Sequence, residues 1–167
     1  MADLTLALAG NPNAGKSTIF NALTGLRQRV GNFAGVTVER VEGSFRLPDG
    51  RRVALLDLPG SYSLSAGSPD EQIALDVLLG RDADRWRPDV VLVVVDAGHL
   101  ERNLFLAGQV LELGVPVVVA LNQIDVATAD GVAIDIPDFI HELGVSVVPT
   151  VAKRGEGLEQ LKRAIVT

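Results

Sequence analysis

The stretch Gly10-Asn11-Pro12-Asn13-Ala14-Gly15-Lys16-Ser17 constrains the fold more than any other part of the chain. It satisfies Gly-x4-Gly-Lys-Ser and stands between a short apolar run, Leu4 to Ala9, and a segment with helical spacing through Ile19, Phe20 and Leu23. Strand, glycine-bearing loop and helix, in that order, form the setting in which this pattern cradles phosphates. Glycines let backbone N–H groups turn toward the ligand, and the helix N-terminus adds partial positive charge. Contacts to a nucleotide are therefore expected from Gly10, Asn13, Ala14, Gly15, Lys16, Ser17 and Thr18. Lys16 is expected to reach the β- and γ-phosphates as a catalytic charge, and Ser17 to offer its hydroxyl to Mg²⁺.

Beyond this loop, extended and helical signals alternate. Val36 to Leu47 and Arg52 to Leu56 read as strands joined by a turn at Pro48-Asp49-Gly50. Val90 to Val95 and Val115 to Leu121 are Val-rich runs without alternation, as expected of parallel strands covered on both faces. Val145 to Val148 is a last strand. Helices are expected from Pro69 to about Leu79, Leu100 to Leu113, Pro137 to Leu143 and Gly157 to Val166; Ser68 serves as N-cap of the first, and Glu71 completes a capping box. Gln28 to Gly35 is polar, lacks a period and reads as a mobile loop. The pattern predicts an α/β fold over residues 1–167: a doubly wound, mostly parallel six-stranded sheet with flanking helices and its ligand at the carboxyl ends of the strands.

Composition narrows the function. A net charge of -6 argues against a nucleic-acid partner, because phosphate backbones attract Lys and Arg. With no cysteine, disulfides and thiolate metal sites are excluded. The longest apolar runs fall short of the roughly 20 residues of a spanning helix. Met1 to Thr5 lacks the basic and apolar order of a signal peptide.

Three further sites carry chemistry. Asp57 ends an apolar strand and begins Asp57-Leu58-Pro59-Gly60, where the carboxylate can hold Mg²⁺ through water and the Gly60 N–H can sense a γ-phosphate. Asn122-Gln123-Ile124-Asp125 follows a Val-rich strand; a carboxylate at Asp125 can accept two hydrogen bonds from guanine, and adenine would leave it unpaired. Thr37 is either strand filler or a hydroxyl that joins the Mg²⁺ shell when a triphosphate orders 28–40. Phe33 reads as exposed or loosely packed. His99 and His141 read as structural or exposed. Asp70 and Glu71 read as capping residues.

Taken in this order, Gly10 to Ser17, Arg27 to Arg40 (RQRVGNFAGVTVER), Asp57 to Leu64 (DLPGSYSL), Asp70 to Ala74 (DEQIA), Glu101 to Leu104 (ERNL) and Leu111 to Asp125 closely resemble the N-terminal GTPase domains of the bacterial ferrous-iron transporter family FeoB. The resemblance covers nearly the whole chain. It implies a GTP/GDP-binding domain with a phosphate loop at 10–17, switch regions at about 28–40 and 57–70, and base-recognition loops at 122–125 and 150–153. In the last of these, Thr150, Val151 and Ala152 would contact the nucleotide, with the Ala152 N–H facing guanine O6. The resemblance also implies K⁺ held by Asn13, with backbone carbonyls around Asn32 to Ala34 as further ligands; Asn13, Thr37 and Gly60 would then join Lys16 in catalysis. A helical domain and a membrane-spanning iron-transport domain would follow in the same longer protein, at the cytoplasmic face of the bacterial inner membrane.

Two departures shape the expectation. Ser61 stands where many small GTPases carry a water-orienting glutamine, so hydrolysis should be slow. Gln123 takes a slot usually held by Lys or Met, and Val151 one where Ser is common. A ribosome-assembly GTPase and a GTP/GDP-sensing module with negligible turnover are the alternatives.

Overall fold

The structure is a computed structural model, and it describes residues 2–81 and 86–166. Its strands are β1 (Leu4–Gly10), β2 (Gln28–Asn32), β3 (Glu39–Arg46), β4 (Arg52–Asp57), β5 (Val90–Asp96), β6 (Val117–Asn122) and β7 (Ser146–Pro149). The helices are α1 (Lys16–Thr24), α2 (Pro69–Leu78), α3 (Leu100–Glu112), α4 (Ile124–Ala129), α5 (Ile136–Leu143) and α6 (Leu158–Val166). The strands form one sheet in the order β2-β3-β4-β1-β5-β6-β7. Neighbours from β4 to β7 run parallel, while β2 and β3 add an antiparallel edge.

The Val-rich runs take the central places because both of their faces are covered. In β5, Val91, Val93 and Val95 enter one core with Leu106, Ala107 and Val110 of α3. Leu92 and Val94 point the other way, into a second core with Ile19, Phe20 and Leu23 of α1 and Leu161 and Ile165 of α6. Strand β6 repeats this, with Val119 and Leu121 on the first face and Val118 and Ala120 on the second. Period-two geometry sends successive side chains to opposite layers, so a strand between two helical layers must be apolar throughout. Each side chain so buried contributes about 1.5–3 kcal/mol.

Among the described residues the sheet has seven strands, one more than the sequence pattern predicts. The added strand is β2, whose five residues are all exposed. It pairs backbone to backbone with β3, Gln28 opposite Gly43 and Asn32 opposite Glu39, so no buried alternation marks it. Phe33, expected at the surface, is 3% exposed. Its N–H donates to Val38 O (2.9 Å) and its carbonyl accepts from Val36 N–H (3.3 Å), a turn that folds the ring into the core. The Arg40 guanidinium stands 5.1 Å from the ring centroid. Helix α4 was not foreseen either; only Ala127 of its six residues is fully buried, too little for an apolar stripe.

Helix α2 begins as the sequence predicts, with Pro69 in its first turn and the Ser68 hydroxyl accepting from Glu71 N–H at 3.2 Å. The reciprocal arm differs: the Glu71 carboxylate accepts from the hydroxyls of Ser63 (2.7 Å) and Ser68 (3.3 Å). The Ser63 hydrogen bond holds the Glu71 carboxyl below its ordinary value. Its stabilisation is thus complete above the unfolded-state value and lost as pH falls through the lowered one. Ser68→Ala is expected to lower stability by about 1 kcal/mol, read as a lower urea midpoint at unchanged slope. An unmoved midpoint would show that the cap contributes nothing.

Candidate functional site

The carboxyl ends of β1, β4 and β6 bring the predicted residues together. The loop after β1 turns through Asn13, a non-glycine residue at φ 67°, and Gly15 at φ 97°. Gly15 is required twice over, because a Cβ there would also collide with Asn122 Nδ2. The side chain of Lys16 is nearly buried, and its Nζ donates to Asp57 Oδ1 at 2.6 Å and to Leu58 O at 2.8 Å. Burial pushes the Asp57 carboxyl above its ordinary value, and the adjacent Lys16 ammonium only partly offsets it. The two groups form a largely buried ion pair.

The segment after Asp57 is anchored rather than free. Leu58 N–H donates to Leu8 O (2.9 Å), Ser61 N–H to Gly10 O (3.2 Å), and Leu64 N–H to Gln109 Oε1 (2.7 Å). Gly60 packs against Pro12, where a Cβ would lie 3.3 Å from the Pro12 backbone. Ser61 is buried.

Asn122 ties the two ends of the site. Its Nδ2 donates to Ala14 O (3.1 Å), while its Oδ1 accepts from Thr150 Oγ1 (3.0 Å) and Ala152 N–H (3.1 Å). The Ala152 N–H therefore points at Asn122, not toward the cavity where guanine O6 was expected. Gln123, in left-handed conformation, donates from Nε2 to Asn13 O at 3.3 Å. Asp125 falls in the first turn of α4; its Oδ1 is buried without a protein partner, and its Oδ2 lies 3.4 Å from Arg154 Nη2.

Two adjoining cavities result. One of about 250 Å³ is lined by Asn122, Asp125, Val151 and Ala152 among others; the second, of about 580 Å³, is lined by Asn13, Lys16, Ser17 and Gly60. Gly15, Thr18 and Gln123 border both, so the pair forms one elongated slot. Gly10 ends β1 beneath it, and the buried Thr150 supports its far wall. Thr37 is exposed and borders neither cavity, and neither does the segment 32–34, which is tied into the β2–β3 hairpin.

The histidines stay outside the slot. His99 Nδ1 contacts Asp96 Oδ2 at 2.9 Å, and His141 is exposed on α5. Among the described residues no three His, Cys, Asp or Glu side chains stand together as a metal cage. The sequence reading missed Arg154 and the buried Asn11, whose Nδ2 donates to Arg102 O at 3.2 Å. The nearness of Arg154 to the expected base loop was the one available signal.

The slot fits a nucleotide and its metal. The Asp125 carboxylate beside the smaller cavity, with Oδ1 buried and unpartnered, suits a base that donates N–H groups. Ser17 lines the larger cavity with a hard oxygen of the kind Mg²⁺ prefers, while Asp57 borders neither cavity and sits behind Lys16, its Oδ1 held by the ammonium. A phosphate loop, a carboxylate at the end of β4 and an Asn/Asp base site on this sheet define a P-loop GTPase domain of the G-domain class. Residues 4–165 match the family model described as ferrous iron transport protein B, and the chain belongs to that family, FeoB, as its G domain.

The chain is 54% identical to the Fe(2+) transporter FeoB of Salmonella typhimurium over 99% of its own length, and spans 21% of that relative. The G domain of the T. maritima FeoB iron transporter superposes with a TM-score of 0.88 at 45% identity, covering 98% of this chain and 96% of that one. The cytosolic domain of the same transporter in its GMPPNP form gives 0.90 at 45% identity, covering 98% of this chain and 62% of that one. No helix among the described residues is long and apolar enough to cross a membrane.

Proposed function

We propose that this chain is the GTP-hydrolysing switch of a longer ferrous-iron transport protein, slow in turnover and stimulated by K⁺. The observation that carries the nucleotide reading is the buried, unpartnered Asp125 Oδ1, set in a slot continuous with Lys16. Asp125 accepts the N–H groups of guanine, with Asn122, Thr150, Val151 and Ala152 shaping the base end. Asn13, Gly15 and Thr18 line the phosphate path, with Gly10 and the buried Ala14 in the loop behind it.

Bound Mg²⁺ supplies charge neutralisation at the β- and γ-phosphate oxygens; Ser17 and Asp57 would hold it, joined by Thr37 when the triphosphate draws in 28–40. Lys16 leaves Asp57 for the phosphates, and the Gly60 N–H registers the γ-phosphate. Loop amides and Lys16 then stabilise the charge that develops as water attacks. Ser61 is buried in the place of a glutamine and offers that water no side-chain amide, which supports slow turnover. By family resemblance, Asn13 would hold K⁺ at the rim of the phosphate end, where its side chain is exposed. A helical domain and a membrane-spanning domain of the same longer protein, at the cytoplasmic face of the bacterial inner membrane, would receive the switch.

Phosphate release compared in KCl and NaCl tests the cation. Stimulation by KCl that Asn13→Ala removes is the expected result, and full stimulation in the variant would eliminate Asn13 as the ligand. The buried Ser61 also supports one second reading, a GTP/GDP-sensing module. Absence of turnover in both salts would leave that reading alone.

A further inference from the structure

The guanidinium of Arg154 lies against the carboxylate assigned to guanine. Its Nη2 is 3.4 Å from Asp125 Oδ2, while its Nη1 is 3.7 Å from Glu156 Oε1. Arg154 therefore lies between two carboxylates, one in the base site and one outside it. The backbone beneath is fixed: Arg154 N–H donates to Val151 O (3.0 Å), and Val151 and Glu156 exchange N–H donors at 3.0 and 3.2 Å. The side chain itself is 57% exposed, so its head can swing without disturbing the loop.

Guanine recognition by a carboxylate uses both oxygens, one for each donated N–H. A guanidinium on Oδ2 offers that oxygen a rival donor and drains negative charge from the acceptor. We propose that Arg154 is a positioning residue that acts through Asp125, competing with guanine for Oδ2 and keeping nucleotide affinity low, and that Glu156 sets the competition by drawing the guanidinium away. The proposal rests on the reading of Asp125 as the guanine acceptor.

Release and equilibrium binding of a fluorescent GDP, measured on this chain and its variants, test it. Arg154→Gln is expected to tighten binding and slow release by about three- to fivefold, the size of a solvent-exposed ion pair. Glu156→Gln, which leaves Arg154 only Asp125, is expected to weaken binding by a similar factor. In an Asp125→Asn background, read with a fluorescent XDP because that variant loses guanine nucleotides, Arg154→Gln is expected to have no effect, an outcome a merely structural role would not produce. Weaker or unchanged GDP binding in Arg154→Gln overturns the proposal, as does an undiminished effect in the Asp125→Asn background. If Asp125→Asn alone leaves GDP binding unchanged, the base assignment itself falls. If it weakens binding while Arg154→Gln fails to tighten it, only the competition is wrong.

Discussion

Lys16→Ala is expected to lower GTP hydrolysis by about 10²- to 10³-fold, the usual cost of removing a preorganised group that stabilises developing charge. The structure adds a second consequence, because Lys16 Nζ is also the 2.6 Å partner of Asp57. Without the ammonium, the carboxyl keeps its burial and loses what offset it, so its folded-state value rises further. A raised folded value means stability that is present below the unfolded value and lost as pH rises through the folded one. The variant should be less stable near neutral pH by about 2 kcal/mol, the scale of a hydrogen bond to a charged group. It should recover on acidification, and Lys16→Ala/Asp57→Asn should regain stability without regaining hydrolysis. Thermal unfolding across pH, beside single-turnover phosphate release, separates the two effects. Wild-type hydrolysis in Lys16→Ala would remove the phosphate loop from the mechanism.

Asp125→Asn is expected to weaken guanine nucleotides by about 10⁴-fold, as in sites that lose the partner of a buried hydrogen-bonding edge. The new amide keeps the shape of the carboxylate and exchanges one acceptor for a donor. A base with a carbonyl in place of the guanine amino group then becomes the better match, so xanthine nucleotides should gain as guanine nucleotides lose. Titration of fluorescent GDP and XDP derivatives against both proteins reads the exchange. Equal GDP affinity in the two would refute the assignment.

The central architecture was legible because the physics that builds it is periodic. Val90 to Val95 had to be covered on both faces, and Ser68 to Glu71 could scarcely be anything other than a helix start. Motif order placed the slot for a similar reason, since strand ends on a parallel sheet converge. What escaped notice had no periodic signal. Strand β2 is held by backbone pairing alone, and Phe33 turns inward through two hydrogen bonds that its polar neighbours do not announce. The partner of the Ala152 N–H was hidden because that choice is made by Asn122, thirty residues away along the chain. Arg154 was hidden too: an exposed basic residue in a loop reads as solvated until its distance to Asp125 is known.

Asn122 gives the slot a property that neither end has by itself. One amide grips the phosphate loop through Ala14 O and the base loop through Thr150 and Ala152. A disturbance at either end is thus transmitted through a single shared side chain, and substitutions at opposite ends should not add. Paired changes in residues 10–17 and 150–153 should show an interaction energy of about 0.5–3 kcal/mol that vanishes once Asn122 is replaced. Sugar, base and phosphates would then be held or released as one cooperative unit, with that amide as its hinge pin.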